Sequence, residues 1–471
     1  MPRTVAVLGG GVSGLSACFY LSRSPQAPKV ILLESSSRLG GWISSTRTED
    51  GAVFEHGPRG VRPAGNVGKN TLLMVFATFG LLLAEVFLIQ SIPLPQSKTS
   101  QQMAIQSLHK NLQGRRSIPL PQSNPTRQMA IQSLIMNDDN SWFVPHWRES
   151  EELADIVIDS LCRGVFAGDC RALSVRSCFP ALFQAERAHR SVILGMTLAG
   201  GKGAPALDSP LIRRAKEERW SQWSLRGGMQ TLPEALEAFL KQRGAEIHRD
   251  TPVKRMERTA SGSWRIMLDD GSIEADHVIS ALPAKALAAS LPAWAEPLSR
   301  ELLNIRAVSV AVVNLAYGNV GLPVMGFGHL VPSFEDNALL GIVYDSVAFP
   351  EQDGSGGPAI RLTVMLGGAW FKLGLGDPDT VSHAMLLSCA KAAVKKHLGI
   401  HAEPSRAIVK VQKACIPQYE IGHWKHIENA ATYLVQQKLP LSLIGASYEG
   451  VSVNDCISGA RAAAVKLLGQ T

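Results

Sequence analysis

Charge is sparse in this 471-residue chain: 18% of residues are Asp, Glu, Lys or Arg, and the net charge is only +7. That is too little for a nucleic-acid-binding surface, although it tolerates an anionic lipid or an anionic substrate. Cysteine is scarce and scattered. Seven residues, an odd number with no CxxC pair, exclude a secreted disulfide scaffold and a zinc module, and no metal site is expected. Nor is there room for a presequence: Met1-Pro2-Arg3 leads straight into an apolar run, so any organelle address is expected to be internal. Disorder is excluded for most of the chain by a hydrophobic content of 45%. The length allows about two or three domains with large cores.

What is present begins with Thr4 to Leu8, a short β-rich run, followed by Gly9-Gly10-Gly11-Val12-Ser13-Gly14, a helical pattern and a second apolar run that closes on Glu34. This is β–glycine turn–α–β, the opening of a dinucleotide-binding fold. In Gly9-x-Gly11-x-x-Gly14 the glycines permit a tight turn, close approach to a pyrophosphate and close helix–strand packing. The helix start adds partial positive charge. Glu34, twenty residues beyond Gly14, is placed to accept from a ribose 2′-hydroxyl. Arg38-x-Gly40-Gly41 follows and resembles the double-glycine signature of FAD-dependent amine-oxidase-like flavoproteins, which favours FAD over NAD. Near the end, Gly445 to Asp455 reads as a loop running into a helix start capped by Asn454 or Asp455. In that flavoprotein class this helix start faces the flavin.

Residues 71–150 differ in character. An apolar run covers 71–89, interrupted by Glu85, and a repeat follows: Ser91 to Ser97 returns as Ser117 to Ser123, and Gln102 to Leu108 as Gln128 to Leu134, both offset by 26 positions. Two copies do not make a solenoid. The run reads either as a transmembrane helix or, preferably, as a product of altered splicing or gene modelling. From Glu151 the pattern is globular. Strands are expected at 253–257, 263–268, 308–315, 326–331, 340–344, 361–366 and 441–444, and a helix over 381–398.

Longer motifs are similar to the animal protoporphyrinogen oxidase family: Ser160 to Gly168, Trp220 to Gly228, Gly326 to Pro332, Ile416-Pro417-Gln418-Tyr419 with Gly422-His423-Trp424, and Gly445 to Gly450. With Gly41-Trp42 and Gly57-Pro58-Arg59-Gly60, the likeness covers about 1–70 and 152–471. It implies an α/β fold: a discontinuous Rossmann-like FAD-binding domain (1–70, 220–285, 405–471), an interleaved α+β substrate domain (286–404) and a helical membrane-binding part (71–219, of which 71–150 is atypical). It carries FAD contacts onto Gly9, Gly10, Gly11, Val12, Ser13, Gly14, Glu34, Arg38, Gly41, Trp42, Gly57, Pro58, Arg59 and Gly60. Further contacts fall on Val253, Ala446, Val451, Ser452 and Val453. Phe327, Leu330, Val343 and Met365 are carried over as an apolar slot for a flat tetrapyrrole.

The implied activity is oxidation of protoporphyrinogen IX to protoporphyrin IX by oxygen, with hydrogen peroxide as product, the penultimate step of haem synthesis. A non-catalytic flavin-binding variant is the alternative, because of the altered segment; an amine oxidase or carotenoid desaturase relative is disfavoured by Trp42. No catalytic side chain is assigned, and His329 reads as a structural histidine. The resemblance also implies an arginine for a substrate propionate; Arg115, Arg116 and Arg127 lie in the right window but in repeat sequence, so the role is carried onto none of them. A homodimer, peripheral membrane association and the intermembrane-space side of the mitochondrial inner membrane are implied by the resemblance alone.

Overall fold

The structure is a computed structural model, and it describes residues 3–79, 87–90, 153–189, 207–355 and 359–469. The tandem repeat, Arg115, Arg116 and Arg127 lie outside the described residues.

Five parallel strands form the first sheet: β1 (Thr4–Leu8), β2 (Lys29–Leu33), β7 (Glu246–His248), β11 (His277–Ser280) and β17 (Leu441–Leu443), in the order β17-β11-β1-β2-β7. Every residue of β1 after Thr4 is buried, as expected for a strand covered on both faces. Val5, Val7 and Leu32 pack on one side with α1 (Val12–Ser22) and α7 (Val453–Leu467), while Ala6, Leu8, Ile31 and Leu33 meet Trp264, Ile266 and Leu298 on the other. That second side is covered in part by the meander β8 (Arg255–Arg258), β9 (Trp264–Leu268) and β10 (Gly271–Ala275), with Leu268 opposite Gly271 at the Asp269-Asp270 turn.

The second large sheet is antiparallel, in the order β13-β14-β15-β12-β16: β12 (Ala307–Gly318), β13 (Gly328–Leu330), β14 (Leu339–Val343), β15 (Ala359–Gly368) and β16 (Arg406–Pro417). Its back face, including Val313, Leu315, Ile342 and Val364, packs on α5 (His383–Leu398). A small hairpin, β3 (Ser45–Arg47) and β4 (Val53–Glu55), joins the two sheets: Phe54 and Ala52 pack against Ala316.

The apolar run 71–89 is not one helix. Its first part belongs to α2 (Gly65–Phe79), and Phe87–Gln90 form β5, antiparallel to β6 (Gln222–Leu225). Residues 80–86 lie outside the described residues. No helix among the described residues is long and apolar enough to cross a membrane. Downstream come a π-helical turn at Leu153–Ile158, α3 (Asp159–Phe166) and shorter helices at Val175–Cys178, Pro180–His189 and Pro210–Glu217. The helix α4 (Thr231–Gln242) follows Gly227-Gly228.

Candidate functional site

Two glycine turns meet at the C-terminal end of β1. Gly9 takes φ +95° and donates its N–H to the Leu33 carbonyl at 2.8 Å. A Cβ on Gly14 would stand 1.9 Å from the Gly9 carbonyl oxygen, so only glycine lets α1 lie this close to the strand. Gly40 donates to the Gly10 carbonyl at 2.9 Å, and the Cβ position of Gly41 (φ +57°) is 3.1 Å from the Gly11 Cα. The second glycine pair is therefore the floor on which the first turn rests. Gly11 caps α1 with no side-chain hydrogen bond, and no acid sits in the first helical turn. The leading N–H groups of α1, through Val12 and Ser13, keep the donor capacity and partial positive charge that an anionic diphosphate uses.

Glu34 closes this cradle. Its Oε2 accepts the Gly10 N–H at 2.6 Å, and its Oε1 accepts from the Ser36 amide at 2.8 Å and hydroxyl at 2.7 Å. Arg38 turns inward: its guanidinium donates to the carbonyls of Leu39, Ile43 and Gly41, shaping the turn that carries Gly40 and Gly41. Trp42 is 39% exposed, and a Cβ on Gly57 would fall 1.9 Å from the Trp42 carbonyl oxygen, which seats Gly57 to Gly60 directly against it. Val253 is not in a strand, since β8 begins at Arg255; the pairing of Thr251 N–H with the Glu34 carbonyl at 2.8 Å places the segment beside the end of β2.

The C-terminal elements complete one wall. Gly445, with φ +108°, brings its Cβ position to 3.4 Å from the Ser13 hydroxyl, so the loop after β17 lies against the start of α1. Helix α7 starts at Val453, and its cap is Ser452, reciprocated by Asp455 in a capping box. Neither Asn454 nor Asp455 is the capping residue. Asn454 instead donates to the Arg62 carbonyl at 2.8 Å, and its buried Oδ1 has no partner. An uncapped helix start, a glycine-lined floor, the Glu34 carboxylate closing it and an orphaned amide oxygen beside a second helix start together fit a bound flavin dinucleotide.

The register of the antiparallel sheet sorts the four residues expected to line an apolar slot. Leu330, Gly341, Met365 and Val312 form one cross-strand row, and Gly328, Val343, Thr363 and Asn314 the next, so Leu330, Met365 and Val343 share the front face. Met365 packs there with Val310, Val312, Leu340 and Ala167. Leu330 is 41% exposed and lies close above Gly164 of α3. Phe327 precedes β13, half exposed, its carbonyl taken by the Tyr344 N–H at 2.9 Å. His329 falls on the back face. It stacks on His397 with ring centroids 5.1 Å apart and bonds the Tyr344 hydroxyl at 2.7 Å. Burial, with His397 adding to it, pushes its pKa down to about 4.

A buried polar cluster that the sequence reading passed over joins the two sheets. Arg59 pairs with Asp345 at 2.6 Å, Asp345 accepts from the Thr363 hydroxyl at 2.5 Å, and Thr363 accepts from the Asn314 amide at 2.8 Å. Asn314 Oδ1 in turn accepts from His56 Nδ1 at 2.9 Å. His56 therefore carries its proton on Nδ1 and accepts the Thr46 hydroxyl at Nε2, 2.6 Å away. Beside it, Glu55 takes the Met229 N–H at 2.6 Å and the Ser45 hydroxyl at 2.8 Å. Burial raises the Glu55 pKa to about 7 and lowers that of His56 to about 4. The available signal was Asn314, Thr363 and Glu55 interrupting otherwise apolar strand runs.

The family described as flavin containing amine oxidoreductase matches residues 12–468. The protoporphyrinogen oxidase of Bos taurus is 51% identical over 475 residues, covering 100% of this chain and 99% of that one; the human protein of the same name is 50% identical with the same coverage. These alignments run through 71–150, beyond the two stretches on which the resemblance rested. Among solved structures, a putative protoporphyrinogen oxidase from Exiguobacterium sp. 255-15 superposes with a TM-score of 0.71 at 21% identity, covering 100% of this chain and 99% of that one, which supports the fold. The cofactor is FAD. The chain belongs to the flavin-containing amine oxidoreductases and, among them, to the protoporphyrinogen oxidase family of its animal relatives.

Proposed function

We propose that the protein oxidises protoporphyrinogen IX to protoporphyrin IX in haem synthesis, with oxygen as electron acceptor and hydrogen peroxide as product. The observation that carries this reading is the half-identity, end to end, with the animal enzymes of that name. The geometry supports it: Leu330, Val343 and Met365 form an apolar stretch of the front face, beside the Asn314–Thr363 pair, that suits a flat, largely apolar substrate. When bound, FAD supplies acceptance of a hydride and its return to oxygen as a pair of electrons.

The side chains bind, orient and exclude water. Backbone N–H groups at the start of α1 hold the diphosphate, Glu34 the ribose, and the Gly57 to Gly60 and Gly445 to Val453 segments the flavin. Each round removes a hydride from a bridging carbon and a proton from a pyrrole nitrogen, while one oxygen takes up two electrons and two protons. Three rounds complete the aromatic ring. No described side chain is needed as a strong base on the front face: His329 is behind the sheet, and His56 is neutral and bonded at both nitrogens. Loss of the hydride leaves the adjoining pyrrole cationic, which acidifies its N–H; that proton passes to solvent.

Exposed Val157, Leu161 and Val165, spaced four residues apart on the helical part, support peripheral attachment to a membrane. We place the enzyme, as a homodimer, on the intermembrane-space side of the mitochondrial inner membrane.

Anaerobic mixing of the purified protein with protoporphyrinogen IX tests the activity. The flavin band at about 450 nm should bleach and return on admission of air, with porphyrin fluorescence growing in step. Bound flavin that stays oxidised under substrate overturns the reading.

A further inference from the structure

Tyr419 lies between β16 and α6 (His423–Gln436), 1% exposed, with its ring stacked on His423 at 4.1 Å and 16°. Its hydroxyl donates to the Ala446 carbonyl at 2.6 Å and accepts the Gly450 N–H at 2.8 Å. One oxygen thus ties Ala446 to Gly450 across the loop between β17 and α7. The middle of that loop is held separately. His423 Nε2 is 2.9 Å from the Tyr448 carbonyl, which can only accept, so the imidazole carries its proton there; burial holds its pKa below the ordinary value. Ser447 Oγ accepts the Ala284 N–H at 3.1 Å.

The tyrosine is itself anchored from the opposite side. Its carbonyl accepts the Ser174 N–H at 2.7 Å, Ile421 donates to the Ala172 carbonyl at 3.1 Å, and the neighbouring Gln418 amide donates to the Phe166 carbonyl at 2.9 Å. The ring packs with Cys162, Phe166, Cys170 and Leu173. Packing accounts for the ring but not for the hydroxyl, which would be costly to bury unless bonded. Burial also raises its pKa well above the ordinary range, keeping the proton that donation to Ala446 requires.

We propose that Tyr419 is a positioning residue of the flavin site: its hydroxyl sets the spacing of Ala446 and the Gly450 to Val453 backbone, which bring the start of α7 to the flavin. This rests on the reading of that loop as flavin-facing. The helix start stabilises negative charge on the reduced ring only at a fixed distance, so loosening the loop acts on the cofactor before the substrate.

The test is Tyr419→Phe, which keeps the ring and removes the two bonds. FAD affinity should fall about tenfold, in the range expected for the loss of two ordinary hydrogen bonds. The flavin midpoint potential should move negative, and KM for the porphyrinogen should stay unchanged. Wild-type FAD affinity and potential in the variant overturn the proposal, as does equal loss of thermal stability in apoprotein and holoprotein with the potential unmoved. Should the variant not fold, hydrogen exchange in the wild-type apoprotein decides: a Gly450 amide as open as a free loop overturns the clamp. Wild-type protein that takes up no flavin sinks the cofactor-site reading itself, a result distinct from a wild type that binds flavin and a variant that matches it.

Discussion

Glu55 and His56 are neighbours in sequence whose titrations pull stability in opposite directions. The Glu55 carboxyl, ordinarily near 4.5, is raised to about 7, chiefly by burial, so the folded state holds its proton to higher pH than the unfolded chain. Its stabilising contribution is complete below pH 4.5 and is lost as pH rises to about 7. For His56 the ordinary 6.5 falls to about 4, again chiefly by burial, so its contribution is complete above pH 6.5 and is lost as pH falls to about 4. Each shift is worth up to about 3 kcal/mol, or about 1.4 kcal/mol per pH unit inside its window. Between pH 4.5 and 6.5 the two slopes cancel.

Removing either partner therefore exposes the other. With Glu55→Gln, stability relative to wild type should climb by up to about 3 kcal/mol between pH 4.5 and 6.5; with His56→Gln it should fall by a similar amount. The other shifted histidines, His277, His329, His397 and His423, are present in all three proteins and drop out of the difference. Urea unfolding of the FAD-saturated protein at four pH values, followed by tryptophan fluorescence, measures the slopes. Uniform destabilisation is beside the point, because both variants lose hydrogen bonds at every pH. Variant curves parallel to the wild type across the window refute the reasoning.

Three further outcomes are expected. Gly14→Ala forces α1 off β1 against the Gly9 carbonyl, at a cost of more than about 3 kcal/mol, and should yield protein with little bound flavin by absorbance; a flavin ratio equal to wild type contradicts the close packing. Asp345→Asn leaves the Arg59 guanidinium buried without its counter-charge and should cost about 3–5 kcal/mol in thermal unfolding, partly recovered in the double variant with Arg59→Gln. His329→Gln should lower the melting temperature yet leave kcat within about twofold, because the ring lies behind the sheet; a large kcat loss at retained stability would return it to the chemistry.

The parts of this molecule that were legible beforehand are those written in local periods. Thr4 to Leu8, the glycine turn and α1 follow one another within about twenty residues, each with its own spacing signal, and the Asp269-Asp270-Gly271 turn joins β9 to β10 as its residues suggest. The face assignments of Leu330, Val343 and Met365 needed the register between strands, including the irregularities at Val308/Val310 and Leu339/Gly341. The polar cluster was illegible for a different reason. Glu55, Asn314, Asp345 and Thr363 come from four separate segments, and each alone reads as a blemish in an apolar run. At α7, Asn454 and Asp455 were both eligible caps, and the choice fell to Ser452 because its backbone alone leaves the helix there.

The strand order of the nucleotide-binding sheet sets a timetable. β1 is made from residues 4–8, but its neighbour β11 comes from 277–280, and β17, which closes that side, from 441–443. About 430 residues separate the first strand from the last, about 20 to 90 seconds of synthesis. Throughout that interval the glycine turn exists as sequence without the wall formed by Gly445 to Val453. A chain stopped just short of Leu441 would carry the whole first motif and still lack the strand and loop that lie against the start of α1. On the proposed reading of the Gly445 to Val453 loop as flavin-facing, cofactor loading would wait for β17 and the segment that follows it.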